Sequence, residues 1–201
     1  MIKKRLFLSM FICILFTCGA FAAVSNPDFI VDDDDYDYSD DDAGFMIVCS
    51  LGSLQDVKNA INSGGNVNAV YDGVTPLISA AMANDNPKVI TALVNAGADV
   101  NLRGKYRETP LIYAAMLNFN PEVTRALVEA GADVNAKNDE GMTSLMAAAR
   151  ENFNPKVITT LLELGADPKE KDNSSKMAID YARENVKLKN TYALKKLEEA
   201  I

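Results

Sequence analysis

The phrase NDNPKVITALVNAGADVN at residues 84–101 returns as NFNPEVTRALVEAGADVN at 118–135 and as NFNPKVITTLLELGADPK at 152–169, each copy starting 34 residues after the last. A unit of this length built from two short helices and a turn cannot bury its own apolar face, so neighbouring copies must stack to make a core. Upstream of each phrase the same interval repeats: Thr75-Pro76-Leu77-Ile78-Ser79-Ala80-Ala81, Thr109-Pro110-Leu111-Ile112-Tyr113-Ala114-Ala115 and Thr143-Ser144-Leu145-Met146-Ala147-Ala148-Ala149. Each segment opens a first helix, because a Thr hydroxyl can accept an orphan backbone N–H and Pro at the next position has a helical φ and no N–H to lose. Ser144 replaces Pro once, at small cost. Asn86-Pro87, Asn120-Pro121 and Asn154-Pro155 start a second helix in the same way, and Val89, Ile90, Leu93 and Val94 follow at helical spacing. Gly97, Gly131 and Gly165 sit just past it, where a left-handed cap favours a residue without a Cβ. The unit is helix, turn, helix, Gly, then a hairpin-like finger.

These residues resemble the ankyrin repeat family, whose motif joins Thr-Pro-Leu-x-x-Ala-Ala to a later Leu-Leu-x-x-Gly-Ala-Asp-Val-Asn. The likeness covers residues 44–201. It implies an all-α solenoid of five repeats: a first copy over 48–68 with an abbreviated first helix, three full copies, and a last copy with Met177 to Ala182 and Leu194 to Glu199 that turns polar. The family's His after Thr-Pro-Leu is Ile78, Ile112 or Met146 here, so its hydrogen bonds between loops must be absent or replaced by apolar packing. Asn-x-Asn-Pro also adds one residue to the inter-helix turn, a pattern familiar in bacterial members. Phe119 and Phe153, in matching turns, should pack between repeats, and Asp85 should end that row.

The first 22 residues pose a different problem. Lys3, Lys4 and Arg5 precede an apolar run from Leu6 to Thr17, and Ala20-Phe21-Ala22 supplies the small residues of a secretory cleavage site. This reads as a signal peptide removed after Ala22, which leaves no stable membrane span and implies a secreted or periplasmic location. Two alternatives stay open: a lipoprotein anchored through Cys18 of Leu15-Phe16-Thr17-Cys18, and a retained anchor, for which the apolar run is short. Cys49 is then the one mature cysteine, it has no internal disulfide partner, and it aligns with a small core position.

Residues 23–43 form an Asp-rich linker holding Asp28, Asp32 to Asp35, Asp37 and Asp40 to Asp42. The whole chain carries −8; without Lys3, Lys4 and Arg5 it carries −11, and without these nine Asp about −2, so the acidity belongs to the linker rather than the repeats. Self-repulsion and the lack of apolar periodicity predict disorder there. It reads as a solvating spacer, as a docking segment for a basic partner with Tyr36 and Tyr38 as anchors, or as a weak cation chelator without the spacing of an EF-hand.

Composition speaks against catalysis. The chain has no His, which removes Ser-His and Cys-His pairs and the commonest zinc ligand together, and no phosphate-cradling or dinucleotide motif is present. No cofactor and no metal site is expected, and the acidic balance without a basic aromatic stripe argues against nucleic acid. Protein recognition remains, by a chain expected to be monomeric. In the ankyrin family partners dock on finger tips and first-helix positions, which correspond here to Tyr71, Asp72 and Val74; Arg103, Lys105, Tyr106, Arg107 and Glu108; Lys137, Asp139, Glu140 and Met142; and, on the helices, Met82, Ala83, Met116, Leu117, Ala149 and Arg150. Met82, Met116 and Leu117 suit an adaptable apolar stripe, though Met and Leu at helical spacing equally suit a core. Arg103, Lys105 and Arg107 around Tyr106 have the composition of an interface hot spot, though a solvated charge cluster reads the same.

Overall fold

The computed structural model describes residues 42–201, so the expected signal peptide and the linker as far as residue 41 lie outside the described residues. Among the described residues ten α-helices follow one another as five pairs: α1 (Asp42–Leu51) with α2 (Leu54–Asn62), α3 (Pro76–Ala83) with α4 (Pro87–Asn95), α5 (Pro110–Leu117) with α6 (Pro121–Glu129), α7 (Ser144–Glu151) with α8 (Pro155–Glu163), and α9 (Ala178–Glu184) with α10 (Tyr192–Ala200). The first helices α1, α3, α5, α7 and α9 pack side by side in one row, and the second helices form another. This is the stacked solenoid that the repeat demands.

The starts and stops are made by the anticipated residues. Thr75, Thr109 and Thr143 accept the backbone N–H groups of Ile78, Ile112 and Met146 at 3.1, 3.3 and 3.4 Å, while Asn86, Asn120 and Asn154 cap the second helices. Gly97 and Gly131 both adopt φ 98° and Gly165 φ 92° directly after those helices, a conformation that costs a residue with a Cβ about 1 to 2 kcal/mol. Ser144 does more than replace a proline: its hydroxyl donates to the Val134 carbonyl at 2.9 Å. One expectation needs correction. The first helix is not abbreviated, since α1 has ten residues and begins at Asp42, inside the stretch read as linker, where a carboxylate in the first turn suits the helix dipole.

Two apolar clusters hold the stack. The larger joins Leu77, Ala80, Ala81, Leu111, Ala114, Ala115, Leu145, Ala148 and Ala149 of the first helices to Val89, Ile90, Leu93, Val123, Leu127, Val157, Ile158 and Leu161 of the second. Alanines on the first helices leave little between their backbones and so permit close stacking. Cys49 is buried in this core, as its alignment implied, and burial pushes its thiol pKa up to about 12. Thr124 breaks the pattern. It is buried where the neighbouring copies carry Ile90 and Ile158, and its hydroxyl has no hydrogen-bond partner among the described residues.

Ile78, Ile112 and Met146 are all buried, so apolar packing does stand where the family's His would be. The hydrogen bonds between repeats are supplied elsewhere, by asparagines. Buried Asn118 donates from its amide to the carbonyls of Ala81 and Asn84 in the previous copy, both at 3.1 Å, and its side-chain oxygen accepts the Asn120 N–H at 2.9 Å. Asn84 and Asn152 make the same contacts one repeat earlier and one later. A second row runs past the helix ends, where Asn68, Asn101 and Asn135 each donate to the carbonyl of Gly97, Gly131 or Gly165 in the next copy.

Candidate functional site

The fingers that precede α3, α5, α7 and α9 are joined along one edge. Lys105 N–H donates to Gly73 C=O at 3.1 Å, Asp139 N–H to Tyr106 C=O at 3.0 Å, and Asn173 N–H to Glu140 C=O at 3.0 Å. A basic side chain doubles each of two links: Arg103 Nη1 donates to the carbonyls of Arg107 (3.2 Å) and Lys137 (2.7 Å), and Lys137 Nζ to that of Lys171 (2.9 Å). Arg103 is therefore a latch between fingers, with its fork turned to backbone rather than to a partner. The interval of 34 between Arg103, Lys137 and Lys171 carried that signal in the sequence.

The second finger differs from the first in its chemistry. A tight hairpin with φ above zero at both central residues calls for Asp-Gly or Asn-Gly, and the first finger complies with Asp72 (φ 48°) and Gly73 (φ 79°) between the bridged residues Tyr71 and Val74. The second places Tyr106 and Arg107 there, both at φ 58°. Each costs about 1 to 2 kcal/mol in this region, and such residues persist only where the surroundings hold them. Here the latch of Arg103 on the Arg107 carbonyl and the two bonds from fingers 1 and 3 do so.

The result is a presented pair. Tyr106 is 63% exposed, with Lys105 Nζ 5.7 Å from its ring centroid. Lys105 also faces Asp72 at 3.7 Å, an exposed pair of small energetic weight. The Arg107 side chain is exposed and its guanidinium has no hydrogen-bond or ion-pair partner among the described residues. Behind them Tyr113 is buried, and burial followed by its hydrogen bond to Glu108 raises the phenol's pKa well above the usual tyrosine range.

Other candidate residues are distributed differently. Met82 is 4% exposed and Met142 1%, which corrects the reading of both as contact surface. Met82 joins Met46, Ala69, Val74, Ile78 and Tyr113 in a second small core, with Tyr71, Ala83, Met116 and Leu117 half-buried at its margin. Finger side chains such as Val74 fold over the first helices there, an arrangement that helical spacing alone does not reveal. Only Met116 and Leu117 of the apolar stripe keep partly open surface. Arg150 extends the same row by one repeat, but it is already engaged: with Glu140 at 3.4 Å, Glu151 at 3.1 Å and Met142 Sδ at 3.0 Å. Its guanidinium carbon also lies 6.0 Å from the ring centroid of Tyr181. Tyr181 donates its hydroxyl to Asp172, and that bond, with burial second, raises the Tyr181 pKa to about 12.

A separate ridge lies on the inter-helix turns. Phe119 and Phe153 stack with centroids 6.0 Å apart and planes 15° from parallel, as their matching positions implied, and Lys187 Nζ caps the Phe153 ring at 5.6 Å. The rings remain 47% and 42% exposed.

Among the described residues no helix is long and apolar enough to cross a membrane. Comparison with curated proteins gives no match. The family model described as "Ankyrin repeats (3 copies)" matches residues 45–138 and again 83–172, spans that together take in the three full copies, the first three fingers and the asparagine rows. The chain belongs to the ankyrin repeat family.

Proposed function

We propose that this chain is a non-catalytic scaffold that recognises another protein through the second finger and the adjoining open edge of α5, and that it acts outside the cytoplasm. Ankyrin repeats are in general protein-interaction modules, and the observation that carries the reading is local: Tyr106 and Arg107 stand exposed at the tip of a strained turn where Asp-Gly would be easier. Tyr and Arg are enriched among residues that dominate binding energy, and a pre-organised turn loses little freedom on association. Met116 and Leu117 add partly open apolar surface on α5, the helix into which this finger leads. The extracytoplasmic part rests on the sequence of residues 1–22, and intact-mass measurement of the purified protein decides it: a chain starting at Ala23 supports a cleaved signal, whereas added acyl mass at Cys18 supports the lipid-anchored alternative.

The binding part is tested by affinity capture from an envelope extract, with the wild-type chain beside Tyr106→Ala/Arg107→Ala. A protein held by the wild type and lost by the double variant supports recognition at this finger. Equal capture by both, with matched circular dichroism, removes it.

A further inference from the structure

The sequence leaves a strongly acidic segment immediately before α1, and two fingers away stands the Arg107 guanidinium, unpartnered among the described residues. The geometry points to docking of the chain's own residues 32–41 onto the Lys105–Tyr106–Arg107 finger, masking the surface assigned above to partner binding; the inference rests on that assignment.

Three observations support this occupant over others. The first is charge. Arg107 offers an exposed guanidinium at the finger tip, with Lys105 beside it facing Asp72 and Arg103 latched to backbone beneath, and residues 32–41 hold Asp32, Asp33, Asp34, Asp35, Asp37, Asp40 and Asp41. The next finger presents Asp139 and Glu140 on its exposed edge, so an acidic segment is repelled there and held to finger 2. The second is reach. Each finger leads into a first helix, so the start of α1 at Asp42 lies at the finger end of the stack, with finger 1 and then finger 2 after it. First helices pack about 8 to 10 Å apart, which puts finger 2 about 20 Å from that point, while ten extended residues span about 33 Å. The third is local concentration. A short tether gives an effective concentration of the order of 1 mM, so even a contact with a millimolar Kd is substantially occupied, whereas a separate acidic peptide would need that concentration in solution. Tyr36 and Tyr38 sit among the aspartates and are the apolar complement to Met116 and Leu117.

The consequence is a salt-sensitive mask: a partner must displace the segment, and its apparent affinity falls by the fraction of chains left open. The test compares amide chemical shifts of residues 104–108 in the wild-type chain and in D32N/D33N/D34N/D35N, at low ionic strength of about 20 mM and at about 500 mM, where the Debye length falls to a few Å. Docking in cis is expected to give wild-type shifts at low salt that differ from the variant's, converge with them at high salt, and do not change with protein concentration. Arg107→Glu should abolish the salt response of the remaining finger amides. Identical low-salt spectra for wild type and variant overturn the proposal, as do differences that grow with protein concentration, which would assign the occupant to a second copy. Failure here leaves the capture experiment unaffected, because loss of binding in Tyr106→Ala/Arg107→Ala is read separately from the spectra.

Discussion

Replacing Asn118 by Ala should cost far more than its small size suggests. The side chain is buried and makes three hydrogen bonds, two donated to carbonyls of the preceding repeat at 3.1 Å and one accepted from Asn120 at 2.9 Å. At about 1 kcal/mol net for each, with the carbonyls left in a site water reaches poorly, the loss is about 3 kcal/mol. For a chain of this size that lowers Tm by about 6 to 12 °C. Asn120→Ala is the internal control: it removes a cap and one donated bond from a more open turn, for about 1 kcal/mol. Asn118→Asp sharpens the test, because it keeps the acceptor and loses both donors. At pH 7 it sets a carboxylate against two carbonyl oxygens and should destabilise at least as much as Ala, with partial recovery once the new carboxyl is protonated. Urea titrations followed by circular dichroism measure all three. A cost for Asn118→Ala no greater than that of Asn120→Ala would refute the view that buried asparagines, rather than the family's loop histidine, tie these repeats together.

Four further outcomes follow from individual contacts. Thr124→Val should raise stability by about 1 kcal/mol, since it removes a buried hydroxyl with no partner from a site where neighbouring copies hold Ile; a loss in the same urea titration would contradict it. The pair Tyr106→Asp/Arg107→Gly, which copies finger 1, should stabilise by about 1 kcal/mol after the added freedom of Gly in the unfolded chain is subtracted, while partner capture is lost; retained capture would separate strain from function. Cys49 should stay unmodified by a thiol reagent at pH 8 in the native protein and react only on unfolding, because burial holds its pKa near 12. Tyr181 has its folded pKa raised to about 12, so its contribution is complete below the unfolded value of about 10 and fades as pH rises from there through 12. Tyr181→Phe should flatten that alkaline decline of Tm. For its partner Asp172, burial favours the neutral acid, but hydrogen bonds from Tyr181 and from the Lys176 and Ser174 amides outweigh it and the folded pKa is lowered. That contribution is therefore present above about pH 4 and fades as pH falls through the folded value.

The solenoid was legible because its signals are local and repeated. Thr and Asn caps, glycines after the second helices and apolar spacing each act within one turn of chain, and the structure places them as read. Asn84, Asn118 and Asn152 recur in the sequence at the interval of 34 as plainly as the glycines do, yet their partners lie in the preceding copy, so turn chemistry alone gave no reason to bury them. The candidate site was legible in composition and less so in geometry. Met82 and Met142 carry the residue type of an interface, but finger packing buries them, and Arg103 is turned to the backbone of the next finger. Arg107 offered a cue that composition hides: it occupies the register of Gly73 and Gly141, and a long side chain where neighbours need glycine marks a strained turn.

Hydrogen exchange of the chain with and without its captured partner tests the central claim most directly. Recognition through the finger surface predicts slowed exchange concentrated in residues 104–108 and along α5, with α4, α6 and α8 unchanged. Protection that instead falls on the turns bearing Phe119 and Phe153, with finger 2 exchanging as in the unbound chain, would contradict it and move the binding surface to that stacked ridge.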